Sequence, residues 1–201
     1  MRDAAWSEET EDITYEANRI WANANVLRGT YMPDKYGDVI IPMTVLRRLE
    51  CTLEATKDKV LKKYEADPGR APKALCKDAG LQFYCTSKFT LAELLNDTDN
   101  LAVNFFTYLD GFSANVQDIF SGLSLRDHIK RMAEHNCLLP IVQNFATMDL
   151  HPSRFDSSRM GGIFENLVGR FYSNVDAGQY YTPRDIVRTM VALGLAEGAE
   201  D

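Results

Sequence analysis

The sequence predicts an all-α, predominantly helical fold, and three observations carry that expectation. Apolar residues recur at three- and four-residue steps. The best case is Met160, Ile163, Phe164, Leu167, Val168 and Phe171, which follow the i, i+3, i+4, i+7, i+8, i+11 series without a miss. Residues suited to helix starts stand where starts are needed, such as Thr90 with Glu93 and Thr182 with Pro183. No convincing long strand and no internal repeat is present.

The elements follow in order. Ile13, Ala17, Ile20, Trp21 and Ala24 place an apolar stripe on a first helix that ends near Gly29. "MPDKYGD" (32–38), with Pro33 and Gly37, reads as a loop. Helical spacing resumes in "VIIPMTVLRRLECTLEATKDKVLKKYEAD", through Val45, Leu46, Leu49, Leu53, Val60, Leu61 and Tyr64. Pro42 fits its first turn, where a missing amide costs least. "ADPGRAPKALCKDAG" (66–80) reads as a connector with a short helix from Pro72.

The apolar start of "LQFYCTSKFTLAELLND" (81–97) suits a short extended piece. Thr90 and Glu93 then form a capping box, in which hydroxyl and carboxylate each satisfy a free first-turn amide. Residues 97–111, with Leu101, Val103, Phe105, Phe106 and Leu109, read as a well-buried helix, and Val116, Ile119 and Phe120 mark another short one. Ser124 and Asp127 suit the start of "LRDHIKRMAEHN" (125–136), and Asn136 suits its end.

A polar loop around Pro152 leads to the helix through Met160 and Phe171, and "YSNVDAGQYY" (172–181) is a turn-rich loop. Thr182 is then an N-cap, Pro183 holds the first helical position and Asp185 lies in the positive first turn. Ile186, Val187, Met190 and Val191 continue an apolar stripe, with Gly194 as a stop.

Composition narrows the function. With 201 residues, 45% hydrophobic and 25% charged, the chain has core material for one domain, or one domain and part of another. The acidic opening lacks an apolar core region, so no secretory signal is expected, and the location expected is cytoplasmic. The uncharged run from Asn136 to Met148 has 13 residues, too few to span a bilayer. Cys51, Cys76, Cys85 and Cys137 form no C-x-x-C pair and read as reduced thiols; His128, His135 and Cys137 offer no second ligand pair for a metal.

None of the 12 glycines forms G-x-G, and no Walker loop, G-x-S-x-G elbow or H-E-x-x-H motif occurs. Acid pairs such as Asp97/Asp99 read as solvated carboxylates. From chemistry alone the chain is not a complete enzyme.

The net charge of −7 sits at the ends. Residues 1–16 hold six acids against Arg2, for −5, and the last five residues hold three acids, for −3. Removing both ends from −7 leaves +1 for everything between. The bases there include Arg47, Arg48, Lys57, Lys59, Lys62 and Lys63 on one helical stretch, and Arg126, Lys130 and Arg131 on another. They read either as salt-bridged solvated faces or as phosphate-binding strips. A second candidate site is the step Tyr180-Tyr181-Thr182-Pro183: free amides at a helix start beside aromatic faces suit a small polar ligand with a charged end.

Several blocks then combine into one resemblance. "IWANANVLRGTYMPDKYGDVIIPMTVLRRLE", "FYCTSKFTLAELL", "YLDGFSANVQDIF" and "GGIFENLVGRFYSNVDAGQYYTPRDIVRTMV" stand in the order and spacing of a known family pattern. From about Ile13 onward the chain resembles the N-terminal part of the modification (M) subunit of type I restriction–modification systems, a site-specific DNA adenine-N6 methyltransferase. Cys85 stands where that family often has Asn, and Gln179-Tyr180 where it often has Glu-Phe.

The resemblance implies that residues 1–152 form a helical N-terminal domain that contacts DNA and neighbouring subunits. Those neighbours are the specificity subunit, a second modification subunit and the restriction subunit, and sequence reading belongs to the specificity subunit. Residues 153–201 would begin a truncated Rossmann-like domain that uses S-adenosylmethionine. Tyr180, Tyr181, Thr182 and Pro183 match the segment lining the cofactor pocket, with Thr182 the residue expected to touch the cofactor.

The family's glycine motif and its catalytic Asn-Pro-Pro-Tyr/Phe motif are expected beyond Asp201; none of the seven prolines is adjacent to another. This chain alone is therefore expected to hold S-adenosylmethionine poorly and to transfer no methyl group. The nine bases named above are the expected DNA contacts, made to phosphate and weakened by salt. The alternative reading is a stand-alone helical interaction or regulatory module that binds the same partners without catalysis.

Overall fold

Helix α1 (Arg2–Trp21) and helix α11 (Ser157–Phe171) lie against each other, although most of the chain separates them in sequence. The structure, a computed structural model, describes residues 2–171, with side chains from residue 11 onward. Gly162 faces Ile13, Arg170 donates to Asn18 Oδ1 at 2.6 Å, and the rings of Trp21 and Phe171 are 5.1 Å apart. Pairing thus advances in step along both helices, so they run parallel. The perfect apolar series of α11 explains the packing: Met160, Ile163, Leu167 and Phe171 are all buried. Gly37 is part of the same seam, since an added Cβ there would come within 3.1 Å of the Phe171 ring.

The first stripe breaks at Asn23 before the short helix α2 (Ala24–Leu27). Asn23 is fully buried; its amide donates to the Ile20 carbonyl at 2.9 Å and its oxygen accepts from Asn144 at 3.0 Å. The side chain therefore satisfies groups that a break would leave bare. Gly29 then turns the chain with φ 87°.

Helix α3 (Tyr36–Leu53) is the central element, with Val39, Ile40, Met43 and Leu46 fully buried. It starts earlier than its apolar spacing predicts, after a 3-10 turn at Pro33–Lys35 that occupies the expected loop. Pro42 consequently lies inside α3, not in its first turn, and leaves one carbonyl of the preceding turn without its helical donor. The long helix expected from Val39 to Asp67 is two helices. Tight i to i−3 bonds at Glu54 and Thr56 end α3, and α4 (Lys57–Ala66) begins on a new course.

Helix α5 (Pro72–Ala79) has Pro72 at its start, as expected, and packs on α4. Gly80, at φ 69°, ends it: Leu81 N–H bonds to Cys76 O at 3.2 Å, the closing bond of a Schellman turn. The extended piece is present as a single bridge between Cys85 and Phe112, held by Thr86 N–H to Gly111 O at 2.8 Å. Among the described residues there is no longer strand pairing.

Helices α6 (Leu91–Leu94), α7 (Leu101–Asp110), α8 (Ala114–Gly122), α9 (Leu125–Glu134) and α10 (Leu138–Ala146) complete the bundle. The Thr90 hydroxyl accepts from Glu93 N–H at 3.1 Å, which is the hydroxyl half of the expected capping box. Ser124 does not cap α9 with its side chain. It adopts φ 50°, and its carbonyl, not its hydroxyl, receives the Asp127 and His128 amides. Asn136 does end α9, at φ 58°, with Cys137 N–H closing onto Met132 O at 2.9 Å. Burial is selective on α7: Leu101, Phe105, Tyr108 and Leu109 are interior, but Val103 is 64% exposed. One continuous core links α1, α3 and α6 to α11.

Candidate nucleic-acid interface

The nine predicted phosphate-binding bases fall into three groups once placed on the fold. Arg47, Arg48 and Lys57 turn toward the protein. Arg47 pairs with Glu50, and its Nε donates to Met148 O at 2.7 Å. Arg48 donates to Leu150 O at 2.6 Å, and burial lowers its pKa below the ordinary guanidinium range. Lys57 donates to Phe89 O and sits 5.3 Å from the centre of the Tyr108 ring. These three cations supply donors to loop carbonyls and hold the 147–150 turn and the approach to α6 in place.

Lys59, Lys62 and Lys63 turn outward. At about 100° per residue they share one arc of α4 of about 100°. Val60, Tyr64, Leu61 and Lys57 fill the core-facing arc, and Asp58 and Glu65 fall outside the lysine arc. Helix α5 adds Lys73 and Lys77, both exposed and one turn apart, on the side opposite buried Leu75.

The two helices are tied together by polar bonds. Lys59 donates to Asp78 O at 2.9 Å, and Arg70 pairs with Asp78 at 2.7 Å. The Arg70 hydrogen bond, aided by the charges of Arg70, Lys59 and Lys63, lowers the Asp78 pKa below its ordinary 3.8. Residues 57–77 hold seven bases against three acids, a net +4 within a chain of net −7. The sequence reading missed Lys73 and Lys77 because their segment reads as a connector. The available signal was their i, i+4 spacing just after Pro72.

The third group is mixed. Arg126 pairs with Asp110 and lies 5.8 Å from the Phe106 ring centre. Arg131 donates to Thr30 O at 2.7 Å and covers the Tyr31 ring at 4.6 Å. Lys130 is exposed, but Asp127 and Glu134 lie between Lys130 and Arg131 around the helix. This face is a laced one, with acids among its bases.

The remaining polar clusters are structural. Buried Glu50 receives Arg47, Leu91 N–H at 2.7 Å and the Tyr108 hydroxyl at 2.6 Å. Asp12 pairs with Arg159 at 2.7 Å and Arg154 at 3.3 Å, beside fully buried Glu16. Burial raises the pKa of Cys51 and Cys137 and takes Cys85 to about 11, so these thiols stay protonated and poorly nucleophilic.

His128 serves Tyr31, whose hydroxyl lies 3.3 Å from Nδ1, and Cys137 Sγ lies 3.6 Å from Met132 O. Among the described residues no group of His, Cys, Asp and Glu is placed to hold a metal ion. No helix among them is long and apolar enough to cross a membrane. Tyr180, Tyr181, Thr182 and Pro183, with the helix read after them and the Rossmann-like part, lie outside the described residues.

Fold and surface together define a helical domain with a cationic outer hairpin. Residues 17–145 match the HsdM N-terminal domain family. The chain belongs to that family, the N-terminal domain of the type I restriction–modification M subunit. Comparisons with curated proteins and with solved structures returned no match.

Proposed function

We propose that this chain is the N-terminal part of a modification subunit whose full-length form transfers a methyl group from S-adenosylmethionine to adenine N6 in DNA. In that assembly it contributes DNA and subunit contacts, while a specificity subunit reads the sequence. The observation that carries this reading is the family match over residues 17–145, and the outward lysines of α4 and α5 support its DNA arm. Residues 1–152 act as the helical domain. Residues 153–201 begin the cofactor-binding domain, whose first helix, α11, packs into the core of the helical domain, with Tyr180, Tyr181, Thr182 and Pro183 as one wall of its pocket.

Contact by exposed lysines is to phosphate, so it is insensitive to sequence and weakens as salt rises. The test has two parts. Titration of unrelated DNA duplexes with this chain should give similar weak affinities that fall together with salt; tight binding that salt does not weaken would sink the phosphate-contact reading. Incubation with labelled S-adenosylmethionine should leave no label on DNA until the remaining catalytic segments are supplied. Label transferred by the chain alone would contradict the division of labour.

A further inference from the structure

Two basic surfaces compete for the DNA backbone, the α4–α5 hairpin and the outer face of α9, and their charge arrangements are not equivalent. On α4 the lysines Lys59, Lys62 and Lys63 occupy an arc free of acids, and α5 extends the positive surface with Lys73 and Lys77. Exposed bases gathered on two helices that pack on each other attract a polyanion. On α9 the charges alternate, and two of its three bases are already engaged, Arg126 with Asp110 and Arg131 with Thr30 O. Those bonds, and the acids Asp127 and Glu134 set among the bases, weaken the pull of this face on phosphate.

Spacing agrees with this difference. Lysines four apart on a helix stand about 6 Å apart along its axis, and a duplex offers a phosphate charge about every 1.7 Å of its length. Lys59 with Lys63, and Lys73 with Lys77, are thus spaced to reach neighbouring phosphates from each helix.

We infer that the α4–α5 hairpin, through Lys59, Lys62, Lys63, Lys73 and Lys77, is the surface that contacts the phosphate backbone of duplex DNA, and that α9 is not. This rests on the DNA-contact reading above. It removes Arg47, Arg48 and Lys57 from the contact set, because these half-buried side chains donate to Met148, Leu150 and Phe89 carbonyls inside the domain, whereas Lys59, which donates to Asp78 O, stays exposed. It adds Lys73 and Lys77.

The test compares the 201-residue chain with two variants on a fixed duplex in a salt series. One carries Lys59→Gln, Lys62→Gln, Lys63→Gln, Lys73→Gln and Lys77→Gln; the other carries Arg126→Gln, Lys130→Gln and Arg131→Gln. Circular dichroism melts of both establish that each is folded, and Lys73→Gln with Lys77→Gln alone provides a milder version that leaves the Lys59–Asp78 bond intact.

The hairpin variant should bind roughly tenfold or more weakly at low salt. Its slope of log K against log salt should be shallower by about 0.9 for each phosphate that is no longer neutralised. The α9 variant should keep the parent slope. An unchanged slope in the hairpin variant, or equal weakening in both, overturns the assignment while leaving DNA binding standing. No binding by the parent chain at low salt would instead remove the DNA reading itself.

Discussion

Tyr108 donates its hydroxyl hydrogen to Oε2 of Glu50 at 2.6 Å, joining α7 to α3 inside the core. The same oxygen accepts Leu91 N–H, a free amide at the start of α6, while the other oxygen takes Arg47. One carboxylate thus joins three helices. Burial first, then the neighbouring Glu50 charge, raises the Tyr108 pKa well above 10, so the phenol stays a donor at any working pH. Tyr108→Phe keeps the ring and removes one charge-assisted bond, for a loss of about 1.5–3 kcal/mol. Urea unfolding followed by circular dichroism measures it; an unchanged midpoint would mean the bond carries no net stability.

Glu16 gives stability a pH dependence of definite sign. Its carboxylate is fully buried, and burial raises its pKa above 4.5 despite Arg19 at 3.1 Å and Arg154 at 3.7 Å, with nearby Asp12 adding to the rise. A raised folded pKa means the folded chain holds more protons than the unfolded one in the window just above 4.5. The Glu16 contribution is therefore complete below 4.5 and declines as pH rises through the folded value. Glu16→Gln should flatten that part of the stability–pH curve. Urea midpoints from about pH 4 to 7 for both proteins test it, and parallel curves would contradict it.

His128 shows the opposite sign. Burial lowers its pKa below 6.5, outweighing the attraction of Asp38 and Asp127, and Arg131 adds to the lowering. The unfolded chain then takes up protons first, so stability is complete above 6.5 and is lost as pH falls below it. Protonation also removes the Nδ1 acceptor that faces the Tyr31 hydroxyl. A proton NMR titration should place His128 below the ordinary 6.5, and a value at or above it would refute the burial argument.

Gly111 and Gly169 provide a matched pair. Gly111 has an ordinary φ of −74°, so it is required for space: a Cβ there would lie 2.5 Å from the Ser87 backbone nitrogen. Gly111→Ala must displace the Ser87 segment and should cost about 1–3 kcal/mol. Gly169, inside α11, has nothing within 4 Å of an added Cβ, so Gly169→Ala should stabilise by about 0.5–1 kcal/mol. Thermal melts with opposite shifts are expected, and shifts of the same sign would count against this account.

Although the first helix, expected to reach Gly29, ends at Trp21, by itself the sequence determined the helical class, the α11 stripe, the Thr90 cap, the Asn136 stop and the ordered blocks that carry the family. All of these are local or periodic, so neighbouring residues suffice to express them. It did not determine that Pro42 lies within a helix, that α3 and α4 are separate, or that Val103 faces outward. Those depend on which surfaces other helices cover.

The basic residues show the same division most clearly. Nine charges read alike along the chain, yet the fold directs Arg47, Arg48 and Lys57 onto distant carbonyls and leaves Lys59, Lys62 and Lys63 facing outward. Tertiary structure decided this because a buried carbonyl without a donor is costly, and the nearest cation is drawn in to satisfy it.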